Sequence, residues 1–176
     1  EIIKKDNWPV DIKKAFSKIQ KDASQRLNSN EADIDYLHDH TISGRKVLET
    51  REELDSYIRS YGAMHKEKMK KAYKELNRRS DLSRLIAGRR FQVIDYACGQ
   101  GVATIIFVEY LRDIKVTYNI RELILVEPSK VALEIGARNF TGHVKKVNKY
   151  FDDLLAQDIA TSGEHMTFHL FSNILD

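Results

Sequence analysis

The sequence contains little cysteine, proline and glycine, and this scarcity limits what the chain can be. Its 176 residues include one cysteine, two prolines and eight glycines. A single cysteine excludes an internal disulfide, and the low proline and glycine content, with 42% hydrophobic residues, argues against long disordered tracts. No run approaches the roughly 20 apolar residues that cross a bilayer, and no basic segment leads into an apolar run as in a secretory signal. We therefore expect a soluble protein of the cytoplasm.

Charge is nearly balanced over the whole chain but not along it. The net charge of +3 is too small by itself to predict a nucleic-acid partner. Residues 64–90, however, hold ten cations against three carboxylates. Two interpretations of this basic stripe stay open: contact with a phosphate backbone, such as that of RNA, or the solvated face of an amphipathic helix. The cations are Lys66, Lys68, Lys70, Lys71, Lys74, Arg78, Arg79, Arg84, Arg89 and Arg90.

The first half of the chain has helical periodicity. Apolar residues at steps of three and four predict a helix from Trp8 to Leu27, with Pro9 in its first turn. Residues 28–48 contain Asn, Ser and Gly, which predicts a loop with a short turn or helix around residues 34–37. We therefore expect residues 1–88 to form a helical N-terminal segment.

A long helix is predicted to begin after Thr50. The tetrapeptide Thr50-Arg-Glu-Glu53 matches a capping box, in which the threonine hydroxyl accepts from the Glu53 amide and the Glu53 carboxylate accepts from the Thr50 amide. The apolar stripe that follows continues to about Leu76. A shorter helix is expected over residues 81–87, ending at Gly88.

After Gly88 short β-branched runs alternate with helical segments. This order predicts a parallel sheet with right-handed crossovers. We expect an α/β fold, a partial doubly wound parallel sheet of about four strands, in residues 89–176. The predicted strands are residues 91–95, 123–126, 144–151 and 166–172, and the predicted helices between them are residues 102–112 and 129–139.

The strongest local signal is Asp95-Tyr-Ala-Cys-Gly-Gln-Gly101, placed directly after a predicted strand and before a predicted helix. Glycines at such a turn allow close approach of a ligand, and the helix N-terminus offers unpaired amides with partial positive charge. Glu127 ends the next strand, where a carboxylate commonly holds a ribose diol in doubly wound folds. The alternative is structural: a tight turn between strand and helix, and an exposed charge at a strand end.

At these residues the sequence resembles class I S-adenosylmethionine-dependent methyltransferases. The string Val93-Ile-Asp-Tyr-Ala-Cys-Gly-Gln-Gly101 looks like their first motif, and Leu125-Val-Glu-Pro-Ser129 looks like their second. The resemblance extends from about Phe91 to Asp176. It implies a Rossmann-like fold, S-adenosylmethionine as cofactor and methyl transfer as the activity, with an acceptor that the sequence does not identify.

The resemblance also implies roles for individual residues. Asp95 would help to order the loop and the methionine ammonium, Gly99 and Gly101 would pass close to the methionine portion, and Glu127 would hold both ribose hydroxyls. Ala97, Cys98 and Pro128 lie within the same two motifs and complete the predicted contacts.

Two departures from the family pattern concern the loop and the connection after it. Ala97 stands where the family often has its first glycine, and the additional methyl group is small. The separation between Asp95 and Glu127 exceeds the roughly 20 residues of the dinucleotide fingerprint. We attribute the difference to a loop insertion over residues 113–121.

Further candidates follow the third and fourth predicted strands. Asp152 and Asp153 are candidates for the adenine amino group, or alternatively form an N-cap pair of a helix. Ser172 and Asn173 are the polar candidates near the transferred methyl. The Asn-Pro-Pro-Tyr motif of relatives that methylate exocyclic amines is absent. Because the family's complete sheet has seven strands, we expect this chain to be a fragment or to be completed by another chain.

Three side chains of the long helix are candidates for a lid over the cofactor. Tyr57, Tyr61 and His65 recur every four residues and so share one face, although an ordinary core stripe has the same spacing. No metal site is predicted, because zinc sites need three or four ligands and His38, His40, His165 and His169 are accompanied by no cysteine pair. Cys98 is expected to be a packing residue rather than a nucleophile.

Two other functions compete with methyl transfer. The same sheet could serve as the scaffold of a non-catalytic interaction module that binds RNA or protein through residues 64–90. A nicotinamide dinucleotide enzyme is disfavoured, because position 104 is Thr104 where the dinucleotide fingerprint has its third glycine.

Overall fold

The structure is a computed structural model that describes residues 9–29, 47–160 and 166–172. It is an α/β protein. In chain order its elements are β1 (Asp11–Ile12), α1 (Phe16–Ser29), α2 (Arg51–Ser80), α3 (Leu82–Ile86), β2 (Arg90–Tyr96), α4 (Val102–Asp113), β3 (Asn119–Val126), α5 (Lys130–Arg138), β4 (Phe140–Thr141), β5 (Val144–Val147) and β6 (Met166–Phe171), with 3-10 turns at Phe151–Asp153 and Ala156–Asp158.

The centre of the fold is a four-stranded parallel sheet with the strand order β5-β3-β2-β6. Six of the seven residues of β2 are buried, because the strand lies in the middle of the sheet and is covered on both faces. Tyr96, the last residue of β2, pairs with Val126 of β3 and Phe171 of β6. The carboxyl ends of these three strands therefore lie side by side, and the loops that follow them meet at one edge.

The helices stack mainly on one face of the sheet. Phe16 of α1, Ile58 and Tyr73 of α2 and Phe107 of α4 belong to the same buried cluster as Phe91 of β2. On the opposite face a smaller cluster contains five buried strand residues, covered by Leu154 and Ile159 from the segment around the 3-10 turns. The helical N-terminal segment is thus part of the main hydrophobic core and not a separate appendage.

The predicted start of the long helix is confirmed. Thr50 is the N-cap of α2, its Oγ1 accepts from the Glu53 amide at 3.2 Å, and the Glu53 carboxylate accepts from the Thr50 amide at 3.1 Å. The helix ends at Ser80, one turn later than predicted, because Asp81 adopts a left-handed conformation there. None of the helices in the described ranges combines the length and the apolar character that a bilayer crossing requires.

The predicted first helix is wrong at its beginning. Pro9 is not in a helix, and α1 begins at Phe16. The residues before it form β1, where Asp11 pairs with Thr141 and Ile12 with Phe140 in an antiparallel arrangement. The helical spacing of apolar residues holds within α1 as far as Leu27. Ile12, the first residue of the predicted stripe, lies instead in β1, where it pairs with Phe140. The predicted turn around residues 34–37 lies outside the described residues.

Two predicted boundaries in the sheet are also wrong. The insertion proposed for residues 113–121 is shorter, because β3 already begins at Asn119 and pairs with β2 from there. The third predicted strand, residues 144–151, ends at Val147, and Phe151 belongs to a 3-10 turn. The remaining strands and helices of residues 89–172 lie within a few residues of their predicted bounds.

Candidate functional site

The loop between β2 and α4 has an unusual backbone. Ala97, Gly99 and Gly101 all have positive φ, at 46°, 52° and 75°. The Cys98 amide donates to the Val126 carbonyl at 3.0 Å, and the Gly101 amide donates to the Cys98 carbonyl at 2.7 Å. The loop therefore folds into a compact turn that is attached to the neighbouring strand β3. Gly101 is the N-cap of α4 and provides no side-chain cap.

Glu127, the residue after β3, is hydrogen-bonded to this loop. Its Oε2 accepts from the Gly99 amide at 2.9 Å, and its Oε1 accepts from the Ser129 amide at 3.0 Å. The residue is 8% exposed, and burial raises the pKa of its carboxyl although both amides lower it. A carboxylate offers about four lone-pair sites. Glu127 therefore retains capacity for two further donors after both backbone bonds are made.

A cavity of about 280 Å³ opens above the loop and beside Glu127. This volume is close to the lower end of the roughly 300–1,000 Å³ typical of small-molecule sites. One wall is formed by the first half of α2, and the floor by the loop and the start of α4. The lining residues are Val47, Leu48, Leu54, Tyr57, Ile58, Gly62, His65, Met69, Ala97, Cys98, Gly99, Gln100, Val102, Ala103, Glu127, Pro128, Ala132, Tyr150 and Ser172.

Asp95 lies beneath the loop and not on the cavity surface. Its Oδ2 accepts from the Thr104 amide at 3.2 Å and from the Thr104 hydroxyl at 2.8 Å. Its Oδ1 has no hydrogen-bond partner among the described residues. Complete burial raises the pKa of Asp95 to about 7, against the lowering effect of Thr104. Asp95 thus joins the end of β2 to the first turn of α4.

Gly101 likewise faces the packed interior. A Cβ atom at this position would lie 2.7 Å from the Phe140 ring. Gly136 of α5 approaches the loop from the same side, and a Cβ there would lie 3.0 Å from the Gly99 carbonyl oxygen. In the dinucleotide fingerprint a third glycine on the first helix allows close packing. Here Gly136, a residue of the next helix, allows α5 to contact the loop.

Helix α2 contributes both a wall and an anchor for the loop. The Gln100 side-chain amide donates to the Leu54 carbonyl at 3.0 Å, and Asn139 donates to the Gln100 carbonyl at 3.0 Å from the other side. The Ser129 hydroxyl donates to the Leu48 carbonyl, which holds the segment before α2 over the second motif. These bonds fix the loop between α2 and α5.

Two of the three lid candidates reach the cavity. Tyr57 and His65 line it, with the tyrosine hydroxyl 2.9 Å from His65 Nε2 and the rings stacked at 5.5 Å. Burial raises the pKa of Tyr57, and nearby Tyr61 and Glu127 raise it further. Tyr61 packs on the Tyr57 ring at 5.2 Å but does not line the cavity.

The candidates after the third and fourth predicted strands differ in whether they reach the cavity. Ser172 lines the cavity, whereas Asp152 and Asp153 are exposed in a 3-10 turn and do not. Asn173 lies outside the described residues. Tyr150, which sequence analysis passed over, lines the cavity and is 58% exposed.

Three motif residues with small or apolar side chains, Ala97, Cys98 and Pro128, all line the cavity. Burial raises the pKa of the Cys98 thiol well above its usual range, and the negative charges of Asp95 and Glu127 add to this. The thiol is therefore protonated at neutral pH and is a poor nucleophile.

Metal ligands do not come together in the described ranges, where no three His, Cys, Asp or Glu side chains form a group. His38, His40 and His165 lie outside those ranges. The ring of His169 stacks with Tyr96, and its Nδ1 lies 2.9 Å from the tyrosine hydroxyl.

Sequence reasoning missed the apolar wall of the cavity and the residues that hold the loop. Helical periodicity predicted one apolar stripe along the long helix. Such a stripe does not reveal which residues only pack on the core and which ones, here Leu54, Ile58 and Met69, border a cavity. Gly62 within the long helix was the one sequence signal of a close helix contact. A Cβ atom there would lie 2.9 Å from the Phe16 ring, so α1 and α2 approach closely at this point.

Comparison with known proteins gives no relative: no protein-family model, no curated protein and no solved structure matches the chain. The molecule is thus defined by its own features as an α/β protein with a four-stranded parallel sheet and a cavity at the carboxyl ends of the strands. The glycine loop and the carboxylate-bearing residue Glu127 line that cavity. This arrangement can bind a ligand that offers hydroxyl donors near Glu127 and fits closely against the loop.

Proposed function

We propose that this cavity binds S-adenosylmethionine and that the protein is an S-adenosylmethionine-dependent methyltransferase. The observation that carries the proposal is the meeting of the Gly99 amide and the Glu127 carboxylate, at 2.9 Å, on the surface of a single cavity. Gly99 belongs to the first of the two motifs that resemble the family, and Glu127, 28 residues later in the chain, belongs to the second. Their convergence is what a shared nucleoside site requires.

The strand order supports a Rossmann-like arrangement. Numbered along the chain, the four parallel strands have the order 3-2-1-4, which is the beginning of the doubly wound order 3-2-1-4-5-6. In such sheets ligands bind outside the carboxyl ends of the strands, where the strand order reverses. That reversal lies between β2 and β6. Gly99 after β2 and Ser172 after β6 both line the cavity at this point.

Glu127 has the geometry expected of a ribose ligand. Its two backbone hydrogen bonds fix the orientation of the carboxylate, and its remaining lone pairs can accept from the two hydroxyls of a diol. The low exposure of the carboxylate strengthens such bonds, because water competes less for them.

Gly99 leaves room for a ligand next to the backbone. A Cβ atom at this position would meet no atom within 4 Å, whereas Gly101 and Gly136 are packed against neighbours. The open space beside Gly99 is suited to the close passage of a cofactor. A dinucleotide is less well supported, because the Thr104 hydroxyl is engaged with Asp95 where that fingerprint needs a glycine.

Methyl transfer depends more on the positioning of donor and acceptor than on a dedicated base. S-adenosylmethionine supplies an electrophilic methyl group on a sulfonium, which is transferred by in-line displacement. Fixed orientation of two reactants can supply a large part of the acceleration. In this chain Glu127 would hold the ribose hydroxyls, the loop at Gly99 would pass close to the methionine portion, and the wall formed by α2 would exclude water from the cavity.

Calorimetry with S-adenosylhomocysteine tests the proposal. We expect the protein to bind it, and we expect Glu127→Ala to weaken binding by about 1.5–3 kcal/mol for each hydrogen bond lost to the charged group. Glu134→Ala is the matched control, since Glu134 is a partly exposed carboxylate of α5 that pairs with Lys146 outside the cavity. Absence of heat at millimolar ligand, or equal affinity of the two variants, would refute the proposed function.

A further inference from the structure

Positive charge is concentrated in one segment of this protein. Residues 64–90 carry ten cations against three carboxylates, a net charge of +7. Because the whole chain has a net charge of +3, all its other residues together amount to −4. A surface that serves only solubility has both signs interspersed. The segment comprises the second half of α2, all of α3 and the first residue of β2.

Some of these cations stabilise the fold. Lys66 lies 3.9 Å from Glu109 and Lys70 lies 3.7 Å from Asp113, so both connect α2 to α4. Arg78 and Arg79 share the single carboxylate of Glu75, at 2.7 and 2.6 Å. That cluster keeps one positive charge in excess.

Six other cations have no such role. All six are exposed, and within the described ranges none has a carboxylate oxygen at ion-pair distance. Lys71 and Lys74 are followed at the next helical step by Arg78, so these three share one side of α2 and extend over about 10 Å along its axis. The six are Lys68, Lys71, Lys74, Arg84, Arg89 and Arg90. We call the side of α2 that carries Lys71, Lys74 and Arg78 the basic face.

We propose that the basic face binds a nucleic acid through its phosphates. A row of exposed cations gains free energy from a polyanion by releasing condensed counterions, and this gain does not depend on base sequence. A protein partner fits less well, since the cores of protein interfaces are depleted in charged residues. A membrane surface fits less well too, because an interfacial helix inserts a continuous apolar side. Ile58 and Tyr73 of α2 are buried in the core, and only Met64 and Leu76 are exposed among the large apolar residues of this helix.

The basic face is separate from the cavity and does not depend on the proposed cofactor. None of its residues lines the cavity, and Lys71 and Lys74 are exposed positions of α2 that follow Met69, the last residue of that helix at the cavity. The two sites can therefore be tested independently on the same protein.

Fluorescence anisotropy with a labelled 20-nucleotide single-stranded RNA tests the proposal. The double variant Lys71→Gln with Lys74→Gln should bind more weakly. Its log affinity should also fall less steeply with log salt, with a slope smaller in magnitude by about 1.4, since each phosphate contact contributes about 0.7. The matched control is Lys13→Gln with Lys21→Gln, which removes the same charge from exposed lysines of the other end of the described chain. The control should retain the slope of the unchanged protein.

The outcomes separate clearly. DNA of the same sequence should bind within about threefold of RNA, because the phosphates are common to both. No binding at 50 mM salt, equal loss in both double variants, or a strong dependence on base sequence would overturn the proposal. S-adenosylhomocysteine binding should be equal in all these proteins, so a failed cofactor experiment leaves this result intact, and the converse holds.

Discussion

The two sides of the loop between β2 and α4 differ in what they contact. On the cavity side Gly99 borders open space and its amide donates to Glu127. On the core side Gly101 touches Phe140, and Asp95 is wholly buried against Thr104. A single short motif therefore combines residues that can contact a ligand with residues that only hold the loop in place.

This difference matters for interpreting the sequence motif. The resemblance to methyltransferases assigned cofactor contacts to Asp95, Gly99, Gly101 and Glu127 alike. In the structure Gly99 and Glu127 line the cavity, whereas Asp95 and Gly101 do not. Substitutions on the core side should lower stability, and substitutions on the cavity side should lower ligand affinity.

The largest effect is expected from Gly101→Ala. The new Cβ would lie 2.7 Å from the Phe140 ring, and the backbone would keep its positive φ of 75°. Overpacking costs about 1–3 kcal/mol and a left-handed alanine about 1–2 kcal/mol, so we expect a loss of about 2–5 kcal/mol in the free energy of unfolding. Urea denaturation measures it. A loss below that of Gly88→Ala, which has a similar φ and no neighbour within 4 Å, would contradict the packing role.

A pH-dependent effect is expected from Asp95→Asn. Burial raises the pKa of Asp95 from 3.8 to about 7, so between these values the folded protein keeps a proton that the unfolded chain has lost. The free energy of unfolding contributed by Asp95 therefore falls as pH rises from about 4 to about 7, by about 1.4 kcal/mol per unit of pKa difference. The asparagine does not titrate.

The measurement for Asp95 is a difference between two proteins. Urea denaturation of both at pH 4.5 and pH 8 should show the unchanged protein losing stability relative to Asp95→Asn at the higher pH. A gap between the two proteins that stays constant with pH would show that Asp95 does not carry a raised pKa.

The smallest effect is expected from Ala97→Gly. Ala97 has a φ of 46°, where glycine avoids a strain of about 1–2 kcal/mol but loses up to about 1 kcal/mol through the entropy of the unfolded chain. We expect the free energy of unfolding, measured by thermal or urea denaturation, to rise by between about 0 and about 2 kcal/mol. Clear destabilisation would mean that the Ala97 methyl group, which lines the cavity, makes contacts worth more than the strain.

Features determined by neighbouring residues could be predicted from the sequence. The capping box of Thr50 and Glu53 needs only four residues, and it forms as predicted. The strand β1 could not be predicted, because Ile12 pairs with Phe140, 128 positions away. Helical spacing favoured the wrong structure there, since an apolar residue buried by a distant strand also fits the three-and-four pattern.

The same distinction applies to the candidate site. The glycine loop and Glu127 were identified because each follows a strand, and parallel strands end at one edge of the sheet. Gly136 and Gln100 were missed, because their importance depends on how closely α5 and α2 approach the loop. Asp152 and Asp153 were placed too near the site, because the predicted third strand was four residues too long.

The most direct test of the account compares Gly99→Ala with Gly88→Ala. Both glycines have positive φ, and a Cβ atom at either position would meet no other atom within 4 Å. The free energy of unfolding should therefore fall by a similar amount in both variants, about 1–2 kcal/mol. Only Gly99 lines the cavity. We predict that Gly99→Ala binds S-adenosylhomocysteine at least about tenfold more weakly than Gly88→Ala, which is about 1.4 kcal/mol. Equal affinity of the two variants would show that the ligand does not lie against this loop.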